Sequence, residues 1–327
     1  MVPTIPCVNI RSATSSVSDP SIASALDQAL ATHGFCYIRG HDVDASQFGR
    51  ILEANHAFHA LPEKQKQELA VNPFHRGYIG KDESQTVTSS VAPATQPNQS
   101  ESFMVMQPVS ANHPLWGSAV FGPNQWPDTL IPGFRATCLD YFDTMQRLAH
   151  ELVRRLGAAL GLGADAFSQW FTEPTIFLRL LHYPTNSASA DHNQFGSAPH
   201  TDHGFLTLVA QDTAGGLEVK TSERGWISVP PVDNTFVLNV ADMLSVISGK
   251  RWPSTPHRVV LNQSERYSAA FFYDPNFDAK LYPMLPTTTP STKVMKIHYG
   301  DYLMERFDKN YHYRGDSGYH RQSALKN

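Results

Sequence analysis

Two histidines and an aspartate fall within four positions of the stretch SAPHTDHGFLTL: His200, Asp202 and His203. Imidazole nitrogens and carboxylate oxygens are the donors any metal site here would use. The three cysteines (Cys7, Cys36 and Cys138) are too few and too scattered for a thiolate zinc site or a disulfide framework. Along an extended segment side chains alternate between faces, so His200 and Asp202 point together and His203 points away. A third ligand has to come from elsewhere, and His257, in STPHRVV at the start of an apolar run, is the candidate. Two imidazoles and one carboxylate on one face leave three adjacent positions of an octahedral Fe(II) open. Zinc accepts the same donors in a tetrahedral site with one open position.

A second signal lies nine residues beyond His257, in ERYSAAFFYDPN. Arg266 and Ser268 are two apart on an expected strand and share a face. A guanidinium beside a hydroxyl suits the far carboxylate of a dicarboxylate, because arginine donates two parallel bonds. In an otherwise apolar strand an unpaired arginine would be costly, which favours a ligand over a structural role. Other histidines carry less. In GHDVDA both carboxylates face away from His41, and His56 and His59, among alanine and phenylalanine on an expected helix, read as packing or surface residues. The G-D-S-G of RGDSGYH (314–320) lacks the context of a nucleophile loop and reads as a polar C-terminal turn.

The elements that must position these residues change character along the chain. The N-terminal half reads mainly helical. Asp19-Pro20 is an N-cap and first-turn proline for SIASALDQALATH, which Gly34 closes, and FCYIRG forms a short strand. DASQFGRILEANHAFHAL and LDYFDTMQRLAHELVRRLGAALG are further helices, separated by a polar loop around 80–100. Beyond about residue 174 come short β-branched or aromatic runs punctuated by Gly, Pro, Asn and Asp: TIFLRLLHY, FLTLVAQ, GLEVK, WISV, TFVLNV, HRVVL and RYSAAFFY. That texture indicates an antiparallel sandwich or barrel, a β core with helical cladding. A helix near YGDYLMERFDKNY and a polar tail follow.

The chain has 327 residues, 41% hydrophobic and 17% charged, ordinary values for a globular protein. A formal net charge of −4 argues against a nucleic-acid binder, which needs a basic face. No apolar run reaches membrane-spanning length and the first residues lack a signal-peptide pattern, so a cytoplasmic location is expected.

In order, the segments HGFCYIRGHDV, RGYIG, SESFMV, NQWPDTLIPGFR, LRLLHYP, HTDHGFLTLVAQDTAGGLEV, VLNVADML, STPHRVV and RYSAAFF resemble the iron(II)- and 2-oxoglutarate-dependent oxygenases of the isopenicillin N synthase-like type. Around LRLLHYP and GGLEVK the chain is similar to thymine 7-hydroxylase-type members. The resemblance implies a double-stranded β-helix, or jelly-roll, core within a single oxygenase domain spanning 1–327. Its parts would be an N-terminal helical, substrate-side region (1–120), a catalytic core (174–280) and a C-terminal helix and tail (295–327). It implies that His200, Asp202 and His257 ligate Fe(II), and that Arg266, Ser268 and Tyr183 bind 2-oxoglutarate. Tyr78, Glu101, Phe103, Phe205 and Phe272 would then lie on the substrate side. Oxidation of an unactivated C–H of a small molecule with O2, commonly a hydroxylation, would give succinate and CO2. The substrate could be a natural-product intermediate, a nucleobase or an amino-acid derivative. An iron oxidase that dispenses with 2-oxoglutarate and a silent ligand-binding jelly roll are the alternatives. Three departures stand out: Leu181 where the family frequently has Asn, Ala241 where it usually has Gly, and Trp252-Pro253 before the third ligand.

Overall fold

The computed structural model describes residues 5–12, 16–85, 91, 96–185, 194–286 and 296–316. The strands of its two main sheets are β1 (Cys7–Asn9), β2 (Phe35–Arg39), β3 (Gly77–Ile79), β4 (Glu101–Met106), β5 (Pro174–Tyr183), β6 (Ser197–His200), β7 (Leu206–Gln211), β8 (Leu217–Thr221), β9 (Gly225–Ser228), β10 (Phe236–Val240), β11 (His257–Val259) and β12 (Arg266–Asn276). One sheet has eight strands in the order β1-β2-β10-β7-β12-β5-β4-β3, the other four in the order β6-β11-β8-β9. The helices are α1 (Pro20–His33), α2 (Ala45–His59), α3 (Glu63–Gln67), α4 (Phe134–Ala159), α5 (Asp242–Ile247), α6 (Tyr299–Asn310) and α7 (His312–Asp316).

Alternation along the large-sheet strands sorts their side chains into two cores. Cys36, Ile38, Leu180, Leu208, Leu238 and Phe271 join the helices α1, α2 and α4 in one apolar cluster. Their neighbours Phe35, Tyr37, Leu181, Tyr183, Val237 and Ala270 join Leu217, Val219 and Val259 of the small sheet in another. The large sheet is therefore sandwiched between helices and the second sheet. Both its faces are buried, which is why its strands read as near-continuous apolar runs. This is the jelly-roll core with helical cladding.

Local chemistry sets the element ends. Asp19 accepts the Ser21 amide at 3.0 Å as the N-cap of α1, Pro20 is its first residue, and Gly34 ends it in the left-handed region at φ 66°. Gly34 has a second reason to lack a side chain: a Cβ there would lie 2.3 Å from the Pro253 carbonyl, in the loop before His257.

The N-terminal half is less helical than its sequence suggests, since β1, β2, β3 and β4 all join the large sheet. Strand β4, ESFMVM, is buried along almost all its length and so shows no polar alternation to betray it. Helix α4 begins at Phe134, five residues before the run that announces it. Within RGDSGYH, Arg314 to Asp316 end the short helix α7, and 317–320 lie outside the described residues.

Candidate active site

His200 ends β6 and His257 begins β11, and the antiparallel pairing sets the two directly opposite each other. Their ring centroids are 4.2 Å apart. Each Nδ1 is held by a carbonyl two residues back, Ala198 at 2.8 Å and Thr255 at 3.3 Å. A neutral imidazole that donates from Nδ1 presents the Nε2 lone pair. Both Nε2 atoms face one oxygen, Asp202 Oδ1, at 3.7 Å from His200 and 3.6 Å from His257. Ligand atoms of the three residues all lie within 4.8 Å of one another.

Strand alternation is not what aims Asp202. Strand pairing stops at His200, and Asp202 lies beyond it. Its carbonyl accepts the Asp242 amide at 2.9 Å, while its Oδ2 accepts Thr207 Oγ1 at 2.5 Å and Asn239 Nδ2 at 2.7 Å. One oxygen is thus committed to β7 and β10 and the other is left for the histidines. Burial works to raise the Asp202 carboxyl, but the two imidazoles and the two hydrogen bonds outweigh it and hold the pKa low. Burial and the neighbouring His257 hold the His200 pKa down, keeping its ring neutral. Two imidazoles with Nδ1 held by carbonyls and a carboxylate with one oxygen held by Thr207 and Asn239 are a donor set fixed by second partners, as a divalent metal site needs.

His203 faces elsewhere, as the sequence suggests. Its Nδ1 lies 4.0 Å from Asp242 Oδ2, and its Nε2 is 3.4 Å from Asn310 Nδ2 on α6. It nonetheless lines the cavity that borders His200 and Asp202, together with Arg179, Phe177, Phe272 and Asp274.

Arg266 opens β12 opposite Tyr183, the last residue of β5. Its guanidinium donates to Ser268 Oγ at 3.0 Å and to Gln211 Oε1 at 3.3 Å, and lies 4.7 Å from the Tyr183 ring centroid. Arg266 is only 2% exposed, its Nε has no hydrogen-bond partner, and among the described residues no carboxylate pairs with it. A buried guanidinium beside a hydroxyl, without a carboxylate partner among the described residues, has the chemistry to meet an anion. The cluster that holds Tyr183 includes Phe35, whose ring packs edge-on 5.3 Å from His257.

The expected substrate-side residues separate. Phe272 lines the cavity that borders His200 and Asp202. Tyr78 and Glu101 do not: they line a second cavity with Lys66 and His182. There Glu101 accepts Lys66 Nζ at 2.6 Å, His182 Nδ1 at 2.7 Å and the Tyr78 hydroxyl, which overcome the effect of burial and hold its pKa at about 2. Phe103 and Phe205 are fully buried core residues, packed on Phe58 and Phe134 and on Phe167 and Phe171 respectively. Glu101 is expected on the substrate side from the resemblance of SESFMV to that region of the family, which says nothing of the way it faces. It faces away from the cavity, whereas Ser102 sits beside Arg179. Among the described residues His41, His56 and His59 join no ligand group, and His41 bonds the Asn234 carbonyl at 3.2 Å. Of the three departures, Ala241 sits at φ −96°, where glycine is not required, Leu181 packs in the interior, and Trp252 is fully buried.

A jelly roll carrying two histidines and one carboxylate on one face, with a buried arginine anchor, defines a non-haem metal oxygenase. The profile of the 2OG-Fe(II) oxygenase superfamily matches residues 175–275, and that of the N-terminal region of a non-haem dioxygenase in morphine synthesis matches residues 5–129. A probable iron/ascorbate oxidoreductase of Dictyostelium discoideum is 34% identical, covering 79% of this chain and 76% of its own. A clavatol oxidase of Penicillium crustosum is 35% identical, covering 80% and 82%. The crystal structure of the full-length thymine 7-hydroxylase of Neurospora crassa with 2-oxoglutarate and thymine is 26% identical, with a TM-score of 0.79 over 93% of this chain and 96% of that one. The chain belongs to the 2OG-Fe(II) oxygenase superfamily. It is a dioxygenase that uses Fe(II), 2-oxoglutarate and O2.

Among the described residues no helix is long and apolar enough to cross a membrane. Two further contributors had no sequence motif. Thr207 and Asn239, which fix Asp202, become visible only once β7 and β10 are paired. Arg179 had a signal, a lone arginine inside TIFLRLLHY, of the same kind that singled out Arg266.

Proposed function

We propose that His200, Asp202 and His257 hold the Fe(II), that Arg266, Ser268 and Tyr183 hold 2-oxoglutarate by its far carboxylate, and that the whole chain acts as one oxygenase domain. The observation that carries the reading is the buried Arg266, without a carboxylate partner among the described residues and braced by Ser268 and Gln211. The donor set fits iron: two imidazoles and one carboxylate whose Oδ1 faces them. When bound, iron and 2-oxoglutarate together supply the oxidation of a C–H by O2, with succinate and CO2 as co-products.

The chain's own residues position and shield. Ala198 and Thr255 fix the imidazole tautomers, and Thr207 and Asn239 fix the carboxylate. Arg266 sets the distance at which a dicarboxylate can reach the three ligands. Phe177, Phe272 and Phe307 line the adjoining cavity with apolar surface, which excludes water from the substrate's reacting end. The substrate is a small organic molecule, and hydroxylation, the common outcome in the family the chain resembles, is the proposed reaction. Thymine in the Neurospora crassa enzyme is consistent with that size class.

The test is to incubate Fe(II)-loaded protein with 2-oxoglutarate, O2 and a metabolite panel, reading succinate and new masses together. Substrate-coupled succinate is expected, and product formation without succinate would overturn the 2-oxoglutarate role.

A further inference from the structure

The cavity that borders His200 and Asp202 holds a second arginine. Arg179 lies on the inner face of β5 between Phe177 and Leu181, opposite Met104 of β4 and Ala270 of β12. Its Nε donates to Ser102 Oγ at 3.0 Å, which fixes the plane of the guanidinium. One edge of its surroundings is the Tyr311 ring, whose centroid is 5.9 Å from the guanidinium carbon. Among the described residues the two terminal nitrogens have no hydrogen-bond partner and no carboxylate pairs with them.

The acids of the cavity are already engaged. Asp202 is committed as described, and Asp274 accepts the Phe205 amide at 2.7 Å and the Tyr299 hydroxyl at 2.6 Å. The rest of the wall near Arg179 is apolar or neutral: Phe177, Phe272, Leu303 and Phe307, with His75 held neutral by burial. A half-buried guanidinium in such surroundings is costly unless an anion meets it, and its free edge offers two parallel donors in the geometry of a carboxylate.

We propose that Arg179 reads the substrate, which is a small molecule bearing a carboxylate on an apolar body. The carboxylate takes both terminal nitrogens of Arg179, and the body lies along Phe177 and Phe272 toward His200 and Asp202. Selection against the uncharged analogue follows, because the neutral molecule leaves a desolvated cation unpaired. This assignment of substrate class rests on the oxygenase site described above, while its binding half can be measured without turnover.

The probes are phenylacetate, 3-phenylpropionate and hexanoate, each beside its primary amide. They are titrated by saturation-transfer NMR into the full chain loaded with Zn(II) and excess 2-oxoglutarate, so that the Arg266 site is filled. Acids are expected to bind on the order of tenfold or more tighter than their amides, as a charge-assisted fork requires. R179Q is expected to lose that preference and R179K to keep part of it, since lysine retains the charge without the fork. Equal binding of acid and amide, no binding of any acid, or an acid preference that survives R179Q would each overturn the proposal. So would an acid preference abolished by R266Q and kept in R179Q, which would place the probes in the 2-oxoglutarate site. Succinate release from the Fe(II)-loaded protein separates the two levels. Acid preference without succinate from any substrate would sink the oxygenase assignment of the site and leave Arg179 as an anion reader. Coupled succinate from neutral substrates, with no acid preference, would do the reverse.

Discussion

At the scale of single residues, the site depends on which atom of each side chain is already occupied. His200 and His257 spend Nδ1 on backbone carbonyls, and Asp202 spends Oδ2 on Thr207 and Asn239. His203, three residues from His200, lies at 4.0 Å from Asp242 instead. His200→Ala is therefore expected to abolish both Fe(II) binding and turnover, while His203→Ala keeps the metal. Metal content after gel filtration checks this, and the opposite pattern would refute the ligand set. Asn239→Leu leaves half of the Asp202 support in place. It is expected to weaken metal affinity by roughly 10–100-fold, the usual cost of losing an outer-shell hydrogen bond, read by competition with a chelator. Arg266→Ala is expected to raise the 2-oxoglutarate requirement steeply, measured as the concentration giving half-maximal succinate release.

At the scale of elements, the ligand-bearing loop is clamped by close packing. Gly204 follows His203, and a Cβ there would lie 1.6 Å from the Asp274 carboxylate. The same carboxylate ties the Phe205 amide to Tyr299 of α6. Asp242, at the start of α5, joins the loop to Tyr302 of α6 at 2.6 Å and to Ser254 ahead of β11 at 2.7 Å. Helix α6 thus touches both strands' ligand ends through two carboxylates. Gly204→Ala should break the first clamp and destabilise the fold by about 1–3 kcal/mol, the range for overpacking. Thermal denaturation with and without metal would show it, and an unchanged midpoint would mean that the loop yields freely. A similar bridge lies across the large sheet. Asn55 of α2 donates to the carbonyls of Leu181 on β5 and Ser268 on β12, at 3.1 and 3.0 Å, and so holds the strands of the arginine anchor from outside.

Across the whole molecule, buried acids give stability a pH dependence whose sign differs from site to site. Burial pushes the Asp274 carboxyl up to about 7, against an ordinary value near 3.8. The folded state then holds a proton that the unfolded chain has released, so this group's contribution falls as pH rises from about 4 to 7 and is flat above. Glu101 and Asp242, both held at about 2 by their hydrogen-bond partners against the effect of burial, act the other way. Their stabilisation is present above about pH 4 and is lost as pH falls toward 2. Asp274→Asn isolates the first effect. Its stability relative to the parent is expected to improve steadily between pH 4 and 7, measured by urea denaturation of the metal-free proteins. A constant difference across that window would show that Asp274 is ionised throughout.

Helices α1, α2 and α6, the strand texture beyond residue 174, the ligand types and the Arg266–Ser268 pair were legible in the sequence alone. They rest on covalent spacing, local period and capping chemistry, all of which act within a few residues. The same is true of Asp19 and Gly34 at the ends of α1. Pairing and facing were decided only by the tertiary structure. Strands β4 and β5 are buried on both sides, so no polar contrast marks which residues face the cavity. Glu101 and Arg179 lie on opposite faces of neighbouring strands, a difference that the family resemblance of their segments does not carry. Asp202 shows the same limit from the other side. Its type and position could be read, but its aim comes from Thr207, Asn239 and the Asp242 amide, brought to it by three other segments.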